Sequence, residues 1–342
     1  MNQSERNLEK ERSERFYWID HARGFIMIWL VITLYLPTAL REGVLRFFLA
    51  HPENETTTHV MNLFDVGAPA FIVVMGLLMP LSFFHRKGKD GVKKAVKHII
   101  IRYGIILILG LVIVFIDQGA LIKTISGMPV IQWDVLPTLG LVGLIALPFF
   151  WIEPRIRAVI ASLMLIIYQI MLIFGGWRDY AIVSVHGGIL GSIFGFSAIM
   201  IYSTCLGEFL FIKKHSEEIK KYKFYFIIGV ISYIGGLILT LVPEWYANKR
   251  QVTLTYILIS LGTSILISFF FIALDKKIEK PIFGLDSFGK NPLIIYIIAE
   301  LLSIIVIDII GYDLDIFIGI LLMIIVTVIA LVLDRYGKIL KL

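Results

Sequence analysis

Cysteine and charge are what this 342-residue chain has least of. The single cysteine, Cys205, excludes an internal disulfide framework, and its place in an apolar run reads as a small packing residue. Only 17% of the residues are charged against 58% hydrophobic, and the mean hydropathy is +0.85, which excludes an ordinary soluble domain. The two-residue alternation of a transmembrane β-barrel is absent. No linker, low-complexity tract or convincing internal repeat interrupts the chain, and the lack of a repeat counts against the inverted-repeat plan of many secondary transporters.

What the chain does have is apolar runs about 20 residues long, the length that crosses a ~30 Å hydrocarbon core as a helix with every backbone hydrogen bond satisfied internally. The expectation is an all-α, polytopic transmembrane helical bundle of about ten spans, near 24–41, 64–85, 99–117, 132–152, 157–175, 188–212, 223–243, 252–274, 291–311 and 315–334. Residues 1–15 read as a polar cytoplasmic tail, not a signal peptide, and 16–342 as a single membrane domain. Of the 32 Lys and Arg, 25 fall in connections on the N-terminal side of these spans and six on the other, with Arg102 inside a span. That bias places both termini in the cytoplasm of a multi-pass plasma-membrane protein. It also accounts for the net charge of +6 without a nucleic-acid partner.

Ionisable groups at membrane depth are costly, so each is a functional candidate to be weighed against snorkelling, capping and helix-pair glue. Asp20 and Arg23 sit three apart before the first span, as a local ion pair or part of a cytoplasm-facing site. Arg102 lies a turn inside the third span beside the basic run of residues 85–98, where it either snorkels or meets a phosphate-bearing cofactor. Asp65 reads as a helix cap or as the carboxylate that orients His51 or His59 as a general base. Asp134 raises the same capping alternative, and Glu300, one turn from Tyr296, reads as interhelical glue or a substrate contact. His186 opens the glycine-rich stretch HGGILG, as a turn or a ligand approach. The histidines lack cysteines or clustered carboxylates beside them, so no metal is expected.

Taken in order, six stretches resemble the transmembrane acyltransferase superfamily, and within it the heparan-α-glucosaminide N-acetyltransferase branch. They are IDHARGF with Asp20, Arg23 and Gly24; NLFDVGAPAFIVVMGLL with Asp65, Pro69, Phe71 and Gly76; WDVLPTLGL; HGGILGSI; PEWYANKRQVTLTYILISLG with Asn248, Lys249, Thr253 and Tyr256; and FGKNPLIIYIIAELL with Asn291, Tyr296 and Glu300. The resemblance runs from about residue 16 to 305. It implies an enzyme that takes the acetyl group of cytosolic acetyl-CoA, or another acyl-CoA, across the bilayer to an amine or hydroxyl of an extracytoplasmic sugar or glycan.

By that resemblance the catalytic residue is a first-loop histidine partnered by the aspartate that opens the second span, here Asp65. The family's histidine stands ten residues before that aspartate, and Glu55 occupies the position in this chain. The base is therefore sought in His59, His51 or Glu55. Asp20, Arg23, Lys97, Arg102, Lys290 and Asn291 form the candidate acyl-CoA site, and Asp134, His186, Lys249, Tyr296 and Glu300 the candidate acceptor site. Expected partners are acyl-CoA, the glycan acceptor and membrane lipids, with a homodimer as an open assembly state. The rival expectations are a transporter that uses Asp65, Arg102 and Glu300 along a solute path, and a non-catalytic acyl-CoA- or lipid-binding relative.

Overall fold

A computed structural model describes residues 17–35, 61, 63–125, 127–184, 186–212, 218–278, 280–311 and 316–337. Helix α1 covers Tyr17–Tyr35, α2 Gly67–Asp90 after a 3-10 turn at Leu63–Val66, and α3 Val92–Gln118. Two short strands, β1 (Ile122–Ile125) and β2 (Met128–Ile131), pair antiparallel with Ile122 opposite Ile131 and Ile125 opposite Met128. Helix α4 covers Val135–Ala146 and runs into a 3-10 turn at Leu147–Trp151; α5 is Pro154–Phe174 and α6 Arg178–Val183. Helix α7 spans Gly188–Ile212 with π-helical stretches at Gly191–Phe196 and Glu208–Ile212. Then follow α8 (Glu218–Leu239), α9 (Leu254–Ile278), α10 (Leu285–Lys290), α11 (Pro292–Ile304, continued by a π turn to Ile309) and α12 (Ile316–Arg335).

Seven of these helices, α2, α3, α5, α7, α8, α9 and α12, are long and apolar enough to cross a membrane. The chain is a polytopic membrane bundle. The other three expected spans also fall on helices: α4 with its 3-10 turn and α11 are shorter apolar rods, and α1 opens with Asp20, His21 and Arg23, which lower its apolarity. The hairpin departs from the all-helical expectation. Its alternating Ile, Thr and Val residues suit a ribbon, Gly127 takes the left-handed φ of +80° at its turn, and the fourth helix starts at Val135 instead of residue 132.

Local chemistry explains the helix ends. The Asp134 carboxylate accepts a 2.6 Å bond from the Val135 N–H and caps α4. Pro154 and Pro292 sit in the first turns of α5 and α11, where a missing N–H costs nothing. Asp65 stands one residue before the N-cap position of α2. The side-chain cap is missing at the start of α2, whose N-cap position is Val66, and Asp65 lies in the preceding 3-10 turn.

Helix α2 is the most enclosed, with 78% of its apolar window buried against 17% for α8. The bundle therefore has α2 and α7 near its centre and α8 turned to lipid. One backbone-to-backbone contact positions the site described below. A Cβ placed on Gly24 would collide with the Leu285 carbonyl, and one on Gly289 with the Asp20 carbonyl, so α1 and α10 touch through these two glycines.

The expected consequence is that Gly289→Ala costs about 1–3 kcal/mol by overpacking and lowers the thermal unfolding midpoint in detergent. Gly104→Ala, whose Cβ meets nothing within 4 Å, should leave it unchanged or raise it, since Ala is favoured over Gly in a helix by about 0.5–1 kcal/mol. Equal behaviour of the two variants would refute the close-packing account.

Candidate functional site

Three segments far apart in sequence meet inside the bundle: the first two turns of α1, the middle of α3, and the α10–α11 junction. They enclose a cavity of about 210 Å³ lined by Arg23, Arg102, Lys290 and Asn291. Its floor is apolar, with Phe71, Leu139 and Leu293 among its walls. Ligand pockets for whole small molecules run to ~300–1,000 Å³. A cavity of this size takes part of a ligand, such as one phosphate or the end of a flexible arm.

Each cation in it is placed by a partner. Arg23 Nη1 lies 3.9 Å from Asp20 Oδ1 on the preceding turn of α1, and the Arg102 guanidinium sits 5.7 Å from the Tyr103 ring centre. Lys290 Nζ is 2.6 Å from Asp286 and 2.6 Å from Asp334 of α12, and Ser287 Oγ donates to the same Asp334 carboxylate at 2.7 Å. Burial by itself would lower the Lys290 ammonium, but the hydrogen bonds to Asp286 and Asp334 carry it above its ordinary value and keep it charged. Lys97, expected here, is exposed on α3 and does not line the cavity.

Phe71, Leu139 and Leu293 are shared with a second void of only about 10 Å³, bounded further along by Met27, Val135 and Tyr296. That is less than one water needs. The two voids mark an apolar seam between α1, α2, α4 and α11, closed to water in its narrow part.

The seam leads to a second polar group. Val135 is the residue capped by Asp134, and Tyr296 hydrogen-bonds Glu300 one turn on. Asp134 Oδ1 stands 3.7 Å from His186 Nε2, and Asp134 and Glu300 are close enough to interact electrostatically. Asp65 is buried at 4% exposure and faces Lys249 Nζ at 3.5 Å, while its backbone carbonyl accepts a 2.8 Å bond from the Tyr256 hydroxyl. The α8–α9 connection holds Lys249 in place: Asn248 Oδ1 accepts from the Gln251 N–H at 2.8 Å, and Tyr168 donates to the Gln251 carbonyl at 2.9 Å.

Four of the six expected acyl-CoA residues thus line one cavity, Asp20 is paired to one of them, and Lys97 stands apart. All five expected acceptor residues fall into three buried or part-buried pairs: Asp134–His186, Tyr296–Glu300 and Lys249–Asp65. His51, His59 and Glu55 lie outside the described residues. Among the described residues no group of three His, Cys, Asp or Glu is arranged to hold a metal.

Other polar partnerships were not legible in the sequence. Arg157 is fully buried and forms an ion pair with Glu208 of α7, with Phe150 stacked under its guanidinium at 5.7 Å. His21 is fully enclosed and accepts the Ile282 N–H at 3.1 Å through Nε2. Both tie neighbouring elements together. In the sequence Arg157 stands with Arg155 among the cytoplasmic-side loop cations, at the edge of an apolar run.

Compared with known proteins, the sequence matches no family model and no curated protein.

The Lys249–Asp65 pair gives a direct test. Lys249→Met strands a buried carboxylate and is expected to cost about 3 kcal/mol, read as a lower unfolding midpoint in detergent. Lys249→Met combined with Asp65→Asn should recover more than half of that loss in a double-mutant cycle. Additive losses would show that the pair is not coupled.

Proposed function

We propose that this chain binds an anionic, acyl-bearing molecule of the acyl-CoA type. Its phosphates lie against Arg23, Arg102 and Lys290, and its acyl end lies in the seam toward Tyr296. The observation that carries this reading is the cavity itself: three cations and a buried amide from distant segments around an apolar floor. Guanidinium and ammonium groups recognise phosphate by charge and fork geometry, and an apolar floor suits the uncharged part of such a ligand. The basic end of the bundle faces the cytoplasm, where acyl-CoA resides, and both termini share that side of a ten-span protein in the plasma membrane.

Binding has the more direct structural support, and acyl transfer extends it. The resemblance in the ordered motifs implies that the acyl group passes along the seam to an amine or hydroxyl of an extracytoplasmic sugar, received beside Asp65, Asp134 and Glu300. A narrow closed seam would have to open by side-chain rearrangement for the acyl arm to pass.

A transporter is the second reading. It is favoured by the buried and part-buried ion pairs Lys249–Asp65 and Arg157–Glu208, since paired intramembrane charges mark ion and solute pathways. The two readings differ in what crosses: an acyl group alone, or an intact solute.

Equilibrium binding of radiolabelled acetyl-CoA to the purified chain tests the primary reading. Arg23→Gln and Arg102→Gln should each weaken it about tenfold, a loss near 1.4 kcal/mol, and raised salt should weaken it further. Affinity indifferent to both substitutions sinks the cavity assignment. Proteoliposomes loaded with acetyl-labelled acetyl-CoA then separate transfer from transport: label on external glucosamine with CoA retained inside supports transfer, and efflux of the intact thioester supports transport.

A further inference from the structure

His186 and Asp134 form a built His–carboxylate pair at the far end of the seam. The imidazole is 8% accessible and the carboxylate 38%, and Nε2 is the ring nitrogen that faces Asp134. Both are fixed by their neighbours. Asp134 caps α4, and the adjacent Trp133 indole donates to Thr138 at 2.9 Å and to Ser192 at 2.8 Å, which are themselves 2.9 Å apart. This buried triad locks the start of α4 to the π-helical stretch of α7, six residues beyond His186.

His186 also carries backbone strain. Its φ is +56°, followed by +68° at Gly187 and +60° at Gly188, a left-handed run that is easy for glycine and costly for histidine. Strain of this kind costs about 1–3 kcal/mol and persists where the surroundings enforce it. Here the run turns the imidazole edge-on to Phe196, 6.2 Å between ring centres, and toward Asp134. The charged groups acting on Asp134 are Asp117, Lys249 and Glu300.

We propose that His186, oriented by Asp134, is the general base that activates the acceptor. This rests on the acyl-CoA reading above, because the seam from the basic cavity ends at Val135 and Tyr296, beside this pair. In the step, the acceptor nitrogen or oxygen bonds to the thioester carbonyl carbon as Nδ1 of His186, the ring nitrogen turned away from Asp134, takes its proton. The carbon–sulfur bond breaks, its electron pair leaves on sulfur, and the proton held by His186 is returned through solvent to the thiolate. Asp134 is a positioning residue: an adjacent carboxylate favours the imidazolium that forms.

The test uses the purified full chain, acetyl-labelled acetyl-CoA and a panel of amino sugars, with water as the default acceptor. His186→Asn removes the base while keeping a side chain that tolerates the left-handed backbone. It should lower the transfer rate about 10²–10⁴-fold and leave acetyl-CoA binding within twofold of wild type. Asp134→Asn should lower the rate about tenfold and move the acidic limb of the pH–rate profile to lower pH, because the imidazole loses the carboxylate that favours its protonation. A His186→Asn variant that retains half the wild-type rate overturns the proposal, as does a loss in His51→Ala or His59→Ala that His186→Asn does not share. Wild-type protein that binds acetyl-CoA but moves no label overturns the catalytic role alone; failure to bind acetyl-CoA overturns the underlying reading as well.

Discussion

An ion taken from water into a low-dielectric bundle loses several kcal/mol of solvation even after relaxation, and only a close partner of opposite charge or a set of hydrogen bonds offsets the loss. The polar architecture of this protein follows from that constraint. Arg157 is fully buried and has Glu208; Asp65 is buried and has Lys249; Lys290 is shared between Asp286 and Asp334. Because Glu208, Lys249 and Asp334 each sit on a different element from the charge they meet, satisfying the charge also fixes how those elements stand to one another. The Lys290 trio ties α10 to α12, and the Lys249 pair ties the α8–α9 connection to the start of α2.

Two of these polar groups gather at opposite ends of the seam between α1, α2, α4 and α11. At one end Arg23, Arg102 and Lys290 line the cavity while the carboxylates that pair with them, Asp20, Asp286 and Asp334, are not among its lining residues, so the cations are what the cavity presents. At the other end the carboxylates Asp65, Asp134 and Glu300 outnumber Lys249, a balance that favours a ligand carrying donors. The glycines that bring α1 against α10 make the first end possible: with side chains at Gly24 and Gly289, Arg23 and Lys290 could not share one cavity.

Much of the fold was readable from hydropathy, since lipid demands long apolar helices and seven of the expected spans fall on one. The hairpin at 122–131 was not, because two four-residue strands leave a signal no different from a loop. Arg23, Arg102, Lys290 and Asn291, polar residues at or near apolar-run ends, were visible in the sequence, and the fold brings them around one cavity. Their partners were not legible. Nothing local in the sequence ties Lys290 to Asp334 or Asp65 to Lys249, whereas the capping propensity of aspartate is realised at Asp134. His186 was visible as a histidine before two glycines, but its facing Asp134 depends on a left-handed backbone that only the folded chain shows.

The account stands or falls on whether an acyl-bearing anion occupies the seam from its basic end. The most direct measurement is photo-crosslinking of the purified chain with an acyl-CoA analogue that carries a diazirine on its acyl arm, followed by mapping of the adducts by mass spectrometry. The account predicts adducts on peptides of α2, α4 and α11 containing Phe71, Leu139 and Leu293, competed away by unlabelled acetyl-CoA. Adducts confined to the lipid-facing helices α8 and α12, or undiminished by the competitor, would contradict it.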